Sequence, residues 1–208
     1  MKPTKISMDY LQSTFKNRMP SHITPMRQFG ILALLTEIDG EFHFVLNKRA
    51  KNIHQGGDIC FPGGRQENEE SIEETALRET MEELGIDKKE IQMIGACDYF
   101  IHASRRMLCP FLGYVPYKIL QNATYNKEEV EEVFTVPVSF FQETKPEYHT
   151  LHFYFDKEAD FPFDKIEGGT SYPIGQPSQT YSFYFYEQHT IWGITAKLIE
   201  SIISIFEV

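Results

Sequence analysis

The sequence predicts an α+β fold in which a mixed β-sheet is flanked by helices. Short apolar segments bounded by turn signals recur along the chain and read as strands. Three segments, 5–17, 71–85 and 191–206, carry helical periodicity instead. The two kinds do not alternate in strict strand–helix–strand order, which favours a mixed sheet over a parallel one.

From the N-terminus, residues 5–17 read as a short helix with Ile6, Tyr10, Leu11 and Phe15 on one side, followed by a connector at 20–25. Residues 29–36 read as a buried strand. Asp39-Gly40 marks a turn, and 41–46 returns as a second strand, giving a hairpin. Gly56-Gly57 and Pro62-Gly63-Gly64 break the chain around the apolar piece 59–61. Ser71 followed by Glu74 forms a capping box and Gly85 supplies a stop, so 71–85 is a helix. Residues 91–97 and 107–117 read as strands, the second interrupted by Pro110, and 133–138 as another. The aromatic-rich 149–155 and 181–186 are also expected to be strands, with a long mobile loop between them at 160–178. In 191–206, Ile191, Trp192, Leu198, Ile199, Ile202 and Phe206 lie at helical spacing opposite Lys197, Glu200 and Ser204. That is an amphipathic helix packing on the sheet.

A length of 208 residues suits one domain, 1–208, with a helical appendage over 1–19. With 41% apolar residues, among them 17 Phe and 11 Tyr, the chain has material for a core that a disordered sequence lacks. Its best apolar stretch, 29–35, is far short of the ~20 residues a membrane helix needs. No apolar h-region follows Met1-Lys2-Pro3-Thr4-Lys5, so the expectation is a cytoplasmic chain without a secretory signal. The net charge of -10 does not steer it toward nucleic acid. An anionic small molecule remains a possible partner if metal ions or local arginines reverse the sign. Cys60, Cys97 and Cys109 are odd in number and show no C-x-x-C pattern, which points to free thiols. Oligomeric state is not legible.

Residues 64–86 read GRQENEESIEETALRETMEELGI. With Glu79 at zero on a helical wheel, Glu82 falls at about −60° and Glu83 at about +40°, with Leu77, Met81 and Leu84 at about 140–200°. One side is core and the other carries three carboxylates. Such a face is either solvated or holds hard cations. With no His or Cys nearby, these oxygens suit Mg²⁺ or Mn²⁺. The spacing shifts the balance between the two. It fits G-x5-E-x7-R-E-U-x-E-E-x-G-U, with U aliphatic, at Gly64, Glu70, Arg78, Glu79, Glu82, Glu83, Gly85 and Ile86. With about 7% chance per fixed position, agreement by accident is on the order of 10⁻⁸ per start point. The stretch resembles the Nudix box of the Nudix hydrolase family. Thr80 departs from it, standing where the pattern has an aliphatic residue.

The resemblance implies a Nudix-type α/β/α sandwich and hydrolysis of a diphosphate linked to a group X. It implies that Glu79, Glu82 and Glu83 coordinate divalent metals near the Gly64 carbonyl, and that Arg78 orients the acidic helix through Glu70. It also implies that a glutamate takes the proton of the attacking water. Glu79 is the first choice, and an acid of 128–132, notably Glu129 or Glu132, is the second. The run 126–132 is equally readable as a solvated acidic turn.

Residues 49–64, RAKNIHQGGDICFPGG, resemble the coenzyme A pyrophosphatase subgroup at Arg49, Ala50, Gly57, Phe61, Pro62, Gly63 and Gly64. His54 stands where the subgroup has a second arginine, and the spacer to Gly57 is shorter. Glu132-Val133-Phe134, Val136-Pro137, Ile191-Trp192-Gly193 and Thr195-Ala196 extend the likeness. It implies Mg²⁺- or Mn²⁺-dependent cleavage of the diphosphate in CoA or its thioesters, giving 3′,5′-ADP and 4′-phosphopantetheine or its acyl form. Arg49 and Arg27 would bind phosphate beside Gly63 and Gly64, though each also reads as an ordinary surface arginine. Two alternatives stand: a pyrophosphatase of ADP-ribose or another nucleoside diphosphate derivative, and a non-catalytic Nudix domain that only binds ligand. The intact acidic set argues against the second.

Overall fold

The computed structural model describes residues 6–154, 160–175 and 177–206. Helix α1 (Met8–Phe15) opens it, capped by the Ser7 hydroxyl, which accepts the Tyr10 N–H at 3.2 Å. It is shorter than its periodicity suggests, and its apolar side is uncovered: Ile6, Tyr10, Leu11 and Phe15 are all exposed.

Strands β1 (Arg27–Ile38) and β2 (Glu41–Arg49) form the expected antiparallel hairpin. Asp39 and Gly40 both have positive φ, 52° and 85°, the backbone that lets a two-residue turn match strand twist. Two short strands follow, β3 (Ile59–Cys60) on β2 and β4 (Gly63–Arg65) on β1. The Pro-Gly-Gly stretch is therefore partly a strand, not only a break. Gly63 shows why: at φ 150°, a Cβ there would collide with the Gly30 carbonyl and Ile31 Cα.

Helix α2 (Ile72–Leu84) carries the full Ser71–Glu74 capping box and stops at Gly85 in the left-handed conformation. Then come β5 (Gln92–Ala96), β6 (Phe100–His102), β7 (Arg106–Tyr114), α3 (Tyr117–Asn122), β8 (Val130–Pro137) and α4 (Val138–Glu143). Strand β7 runs through Pro110 without interruption. The Pro110 carbonyl accepts the Cys97 N–H at 2.9 Å. In an extended chain the missing N–H points the same way, toward the gap between β5 and β6, where the ladder is already broken. Tyr117 begins a helix rather than ending the strand.

The chain closes with β9 (Glu147–His152), β10 (Ser178–Tyr186), β11 (His189–Trp192) and α5 (Gly193–Phe206). Ile191 and Trp192 thus belong to a strand, and the helix starts two residues later than the spacing suggests, at Gly193 with φ 63°. Position 155 of the expected strand lies outside the described residues. Within 160–175 there are two 3₁₀ turns, Phe163–Lys165 and Gly169–Ser171.

The main sheet is mixed and eight-stranded, ordered β3-β2-β1-β7-β5, with β4 on β1, β6 on β7 and β8 on β2. Strands β1 and β7 run parallel. Strands β11-β10-β9 form a separate antiparallel sheet. Alternation along β1 sends Leu32 and Leu34 to one face, against Val45, Ala76 and Leu84. It sends Ala33 and Leu35 to the other, with Phe44, Leu46, Ile191, Ile199 and Ile202. The main sheet is thereby sandwiched between α2 and α5. Among the described residues no helix is long and apolar enough to cross a membrane.

Candidate active site

The inward face of α2 is not the one the wheel suggests. Its buried residues are Thr75, Ala76, Thr80, Glu83 and Leu84, while Met81 is 40% exposed. The cause is backbone contact. A Cβ on Gly30 of β1 would strike the Ile72 carbonyl and the Ala76 nitrogen, so the helix rests on β1 along the side bearing Ile72, Ala76 and Glu83. Thr80, in the aliphatic position of the motif, is fully buried, and its hydroxyl donates to the Ala76 carbonyl at 2.7 Å. Its polar atom is thus satisfied inside the helix.

Arg78 organises the acids around it. Its Nε and Nη2 donate to the two Glu70 carboxylate oxygens at 3.1 and 2.9 Å, a bidentate pairing. Nη2 also donates to the Arg65 carbonyl at 3.1 Å. Nη1 is shared between Glu79 at 2.9 Å and Glu82 at 3.0 Å. The Arg78 guanidinium and the Glu67 N–H hold the Glu70 carboxyl down at about 2. The same ion pairs push the Arg78 pKa up.

Glu83 is only 5% exposed. One of its oxygens accepts from Asn47 Nδ2 at 3.0 Å and from the Gly63 N–H at 3.3 Å. Burial pushes its pKa up to about 8, with the Gly63 N–H and Arg49 opposing and the charges of Glu79 and Glu129 adding. Glu79 is raised too, first by desolvation, with Arg78 pulling the other way. Its carboxyl lies so close over Gly64 that a Cβ there would overlap it.

Other predicted residues divide. Arg49, at the end of β2, donates from Nε to the His54 carbonyl at 3.2 Å, and its charge reaches Glu83. Glu129 sits in a turn pinned to both neighbours: the Asn126 N–H donates to the Glu83 carbonyl at 2.8 Å, and the Ala50 N–H to the Glu129 carbonyl at 2.9 Å. Its charge reaches Glu79 and Glu83. Glu132 is engaged elsewhere, 3.2 Å from Nε2 of the buried His189 in β11. Arg27 is exposed at the start of β1, in register with Arg106 of β7. Alternation with Gly30 puts its side chain on the sheet face opposite α2.

Asn47 escaped the sequence reading. It is 1% exposed, and its Oδ1 has no protein partner. The available signal was one amide ending the apolar run 44–46.

Among the described residues no three acidic, His or Cys side chains converge as a ligand set. The pair Glu79 and Glu83 nonetheless fits a hard cation. Both are desolvated, the charge of Glu79 raises the Glu83 pKa, and Glu83 has no ion-pair partner among the described residues. The unpartnered Asn47 oxygen beside them is a further hard donor.

A sandwich that aims the acids of one arginine-braced helix at a Gly-Gly strand is the construction of a Nudix domain. The NUDIX domain model matches residues 26–159, and the chain belongs to the Nudix hydrolase family. It is 35% identical over 112 residues to Nudix hydrolase 3 of Caenorhabditis elegans, covering 52% of this chain and 47% of that one. It is 26% identical over 208 residues to an uncharacterized Nudix hydrolase NudL of Pectobacterium atrosepticum, covering 97% and 96%. It is 27% identical over 170 residues to the mitochondrial coenzyme A diphosphatase NUDT8 of Mus musculus, covering 81% and 71%. The chain spans about half the length of the first and nearly all of the second.

Proposed function

We propose that the protein hydrolyses the diphosphate of CoA or its thioesters to 3′,5′-ADP and 4′-phosphopantetheine or its acyl form, with Mg²⁺ or Mn²⁺ as cofactor. The observation that carries the chemistry is the pair of desolvated carboxylates, Glu79 and Glu83, gathered at Gly63-Gly64. Glu79 and Glu83, with Gly64 and Glu82 beside them, would hold the cation. Bound there, it would neutralise the diphosphate, polarise the P–O bond and acidify water. Arg78 keeps Glu79 and Glu82 in place, and Arg49 offers a cation to a phosphate oxygen at the mouth of the site. Glu79, raised by burial but held ionisable by Arg78, suits the general base; Glu129 is the reserve. Three free thiols suit a reducing setting such as the cytoplasm.

The CoA assignment is supported by the residues 49–64 and by the likeness to a named coenzyme A diphosphatase. His54 favours weighing ADP-ribose as a second reading, since it is exposed and puts no strong cation where the subgroup has an arginine. Phosphate-ester products should be measured with CoA, 3′-dephospho-CoA and ADP-ribose, with and without Mg²⁺. CoA should give the highest kcat/KM, and Arg49→Ala should lower it by about tenfold to a hundredfold. ADP-ribose as the better substrate sinks the CoA reading and leaves a Nudix pyrophosphatase. No turnover of any diphosphate leaves the ligand-binding alternative.

A further inference from the structure

The chain has seven arginines and a net charge of -10, yet three arginines stand together away from the acids. Arg27 of β1 is in register with Arg106 of β7, and Phe29, two residues on, is in register with Arg65 of β4. Residues in register share a sheet face, about 5 Å apart. The face is fixed independently. Gly30 and Gly64 are also in register, and a Cβ on either would point into α2, so Phe29, Arg65, Arg27 and Arg106 project from the opposite face. The Arg106 guanidinium lies 5.8 Å from the Phe29 ring centroid. Its Nε is buried without a hydrogen-bond partner. None of the three side chains has a carboxylate partner among the described residues, whereas Arg78 alone binds three. Like charges gathered on one face without counter-charge repel one another unless an anion joins them.

We propose that Arg65 and Arg106, with Arg27, form an anion subsite for a phosphate monoester on the adenosine arm of the substrate, separate from the diphosphate at Glu79 and Glu83. Position supports it. Arg65 is the residue after Gly64, and among the described residues the outer edge of β4 pairs with no strand. Arg106 is two strands across from Gly64 and three residues along, about 14 Å between backbones, a gap that a nucleoside and the arginine side chain together span. A ligand whose diphosphate lies over Gly64 passes the open edge of β4 and reaches this face with its far end. Planar guanidinium groups give forked hydrogen bonds to a phosphate monoester. The choice of substrate class rests on the CoA reading; the anion site itself does not.

Two measurements test it. The first is the ratio of kcat/KM for CoA over 3′-dephospho-CoA, expected to be at least tenfold in the wild type and to fall toward one in Arg65→Gln and Arg106→Gln. Arg106→Lys should recover part of it, and Arg65→Gln, altering an exposed side chain, guards against misfolding at Arg106. The second is calorimetric binding of 3′,5′-ADP against 5′-AMP to the metal-free protein, where the wild type should prefer 3′,5′-ADP at least tenfold and Arg65→Gln should not. A wild type that cleaves CoA without preferring it over 3′-dephospho-CoA overturns the subsite and leaves the CoA reading standing. If ADP-ribose is the better substrate, the CoA reading fails and the binding experiment decides: preference for 3′,5′-ADP lost with Arg65→Gln upholds the subsite, and equal binding of the two nucleotides overturns it.

Discussion

Glu83→Gln keeps the size of a buried side chain and removes its charge. The sequence alone placed Glu83 on a face away from the core; the structure places it in the packed face, so the substitution tests folding as well as chemistry. A carboxyl whose pKa rises from about 4.5 to about 8 on folding holds its proton more tightly folded than unfolded. Its contribution is fully present below about 4.5 and is lost as pH climbs toward about 8. At about 1.4 kcal/mol per pH unit, the loss across that window is on the order of 5 kcal/mol, shared with Glu79, Glu129, Arg49 and the Cys60 thiol around it. For a chain of this length that is roughly 10 °C in Tm. Glutamine mimics the protonated acid and still accepts from Asn47 and Gly63. In EDTA, the wild-type Tm should therefore fall from pH 5 to pH 8 by several degrees more than that of Glu83→Gln, measured by far-UV circular dichroism. Adding Mg²⁺ or Mn²⁺ at pH 8 should restore the wild type and do little for the variant, whose kcat should drop by about 10²-fold or more. Parallel Tm curves for the two proteins, or a folded variant with near-normal turnover, would refute the reasoning.

Activity should vanish in EDTA and return with Mg²⁺ or Mn²⁺; restoration by zinc alone would contradict a site of carboxylate oxygens. Gly64→Ala places a methyl where the Glu79 carboxyl lies, so kcat should fall by at least tenfold while urea unfolding shifts little; unchanged turnover would remove Glu79 from the site. Arg78→Lys cannot make the forked contact to Glu70 while also serving Glu79 and Glu82. It should lower kcat more than it raises KM, with a normal circular dichroism spectrum, and a pure KM effect would assign Arg78 to substrate binding instead.

The acidic helix was legible because its limits are chemical: Ser71, Glu74 and Gly85 state where it begins and ends, and the same stretch carries the motif. The hairpin was legible for a similar reason, since Asp39-Gly40 tolerates positive φ. Which side of α2 faces inward was not legible. Hydropathy favours Met81 over Glu83, but the contact with β1 is made through Gly30, whose missing side chain leaves no trace in a hydrophobic pattern. Pro110 misled because the rule against proline in strands depends on which way its nitrogen points, a matter of neighbouring strands. Trp192 misled because β11 runs straight into α5 and its apolar residues fit the helical period by coincidence. Asn47 and the pairing of Arg27, Arg65 and Arg106 depend on long-range register, which no local pattern encodes.

Because α2 rests on β1 through Gly30, the height of the acids above the sheet is set by main-chain atoms in van der Waals touch, not by the shape of side chains. Swapping Leu32, Leu34 or Leu84 for other aliphatic residues would loosen the interior without lifting the carboxylates. The amides of α2 should then be among the slowest in the molecule to exchange with solvent, while β4 and the loops around it exchange sooner. An architecture of that kind lets the parts that choose a substrate drift through mutation while the cleaving end stays put.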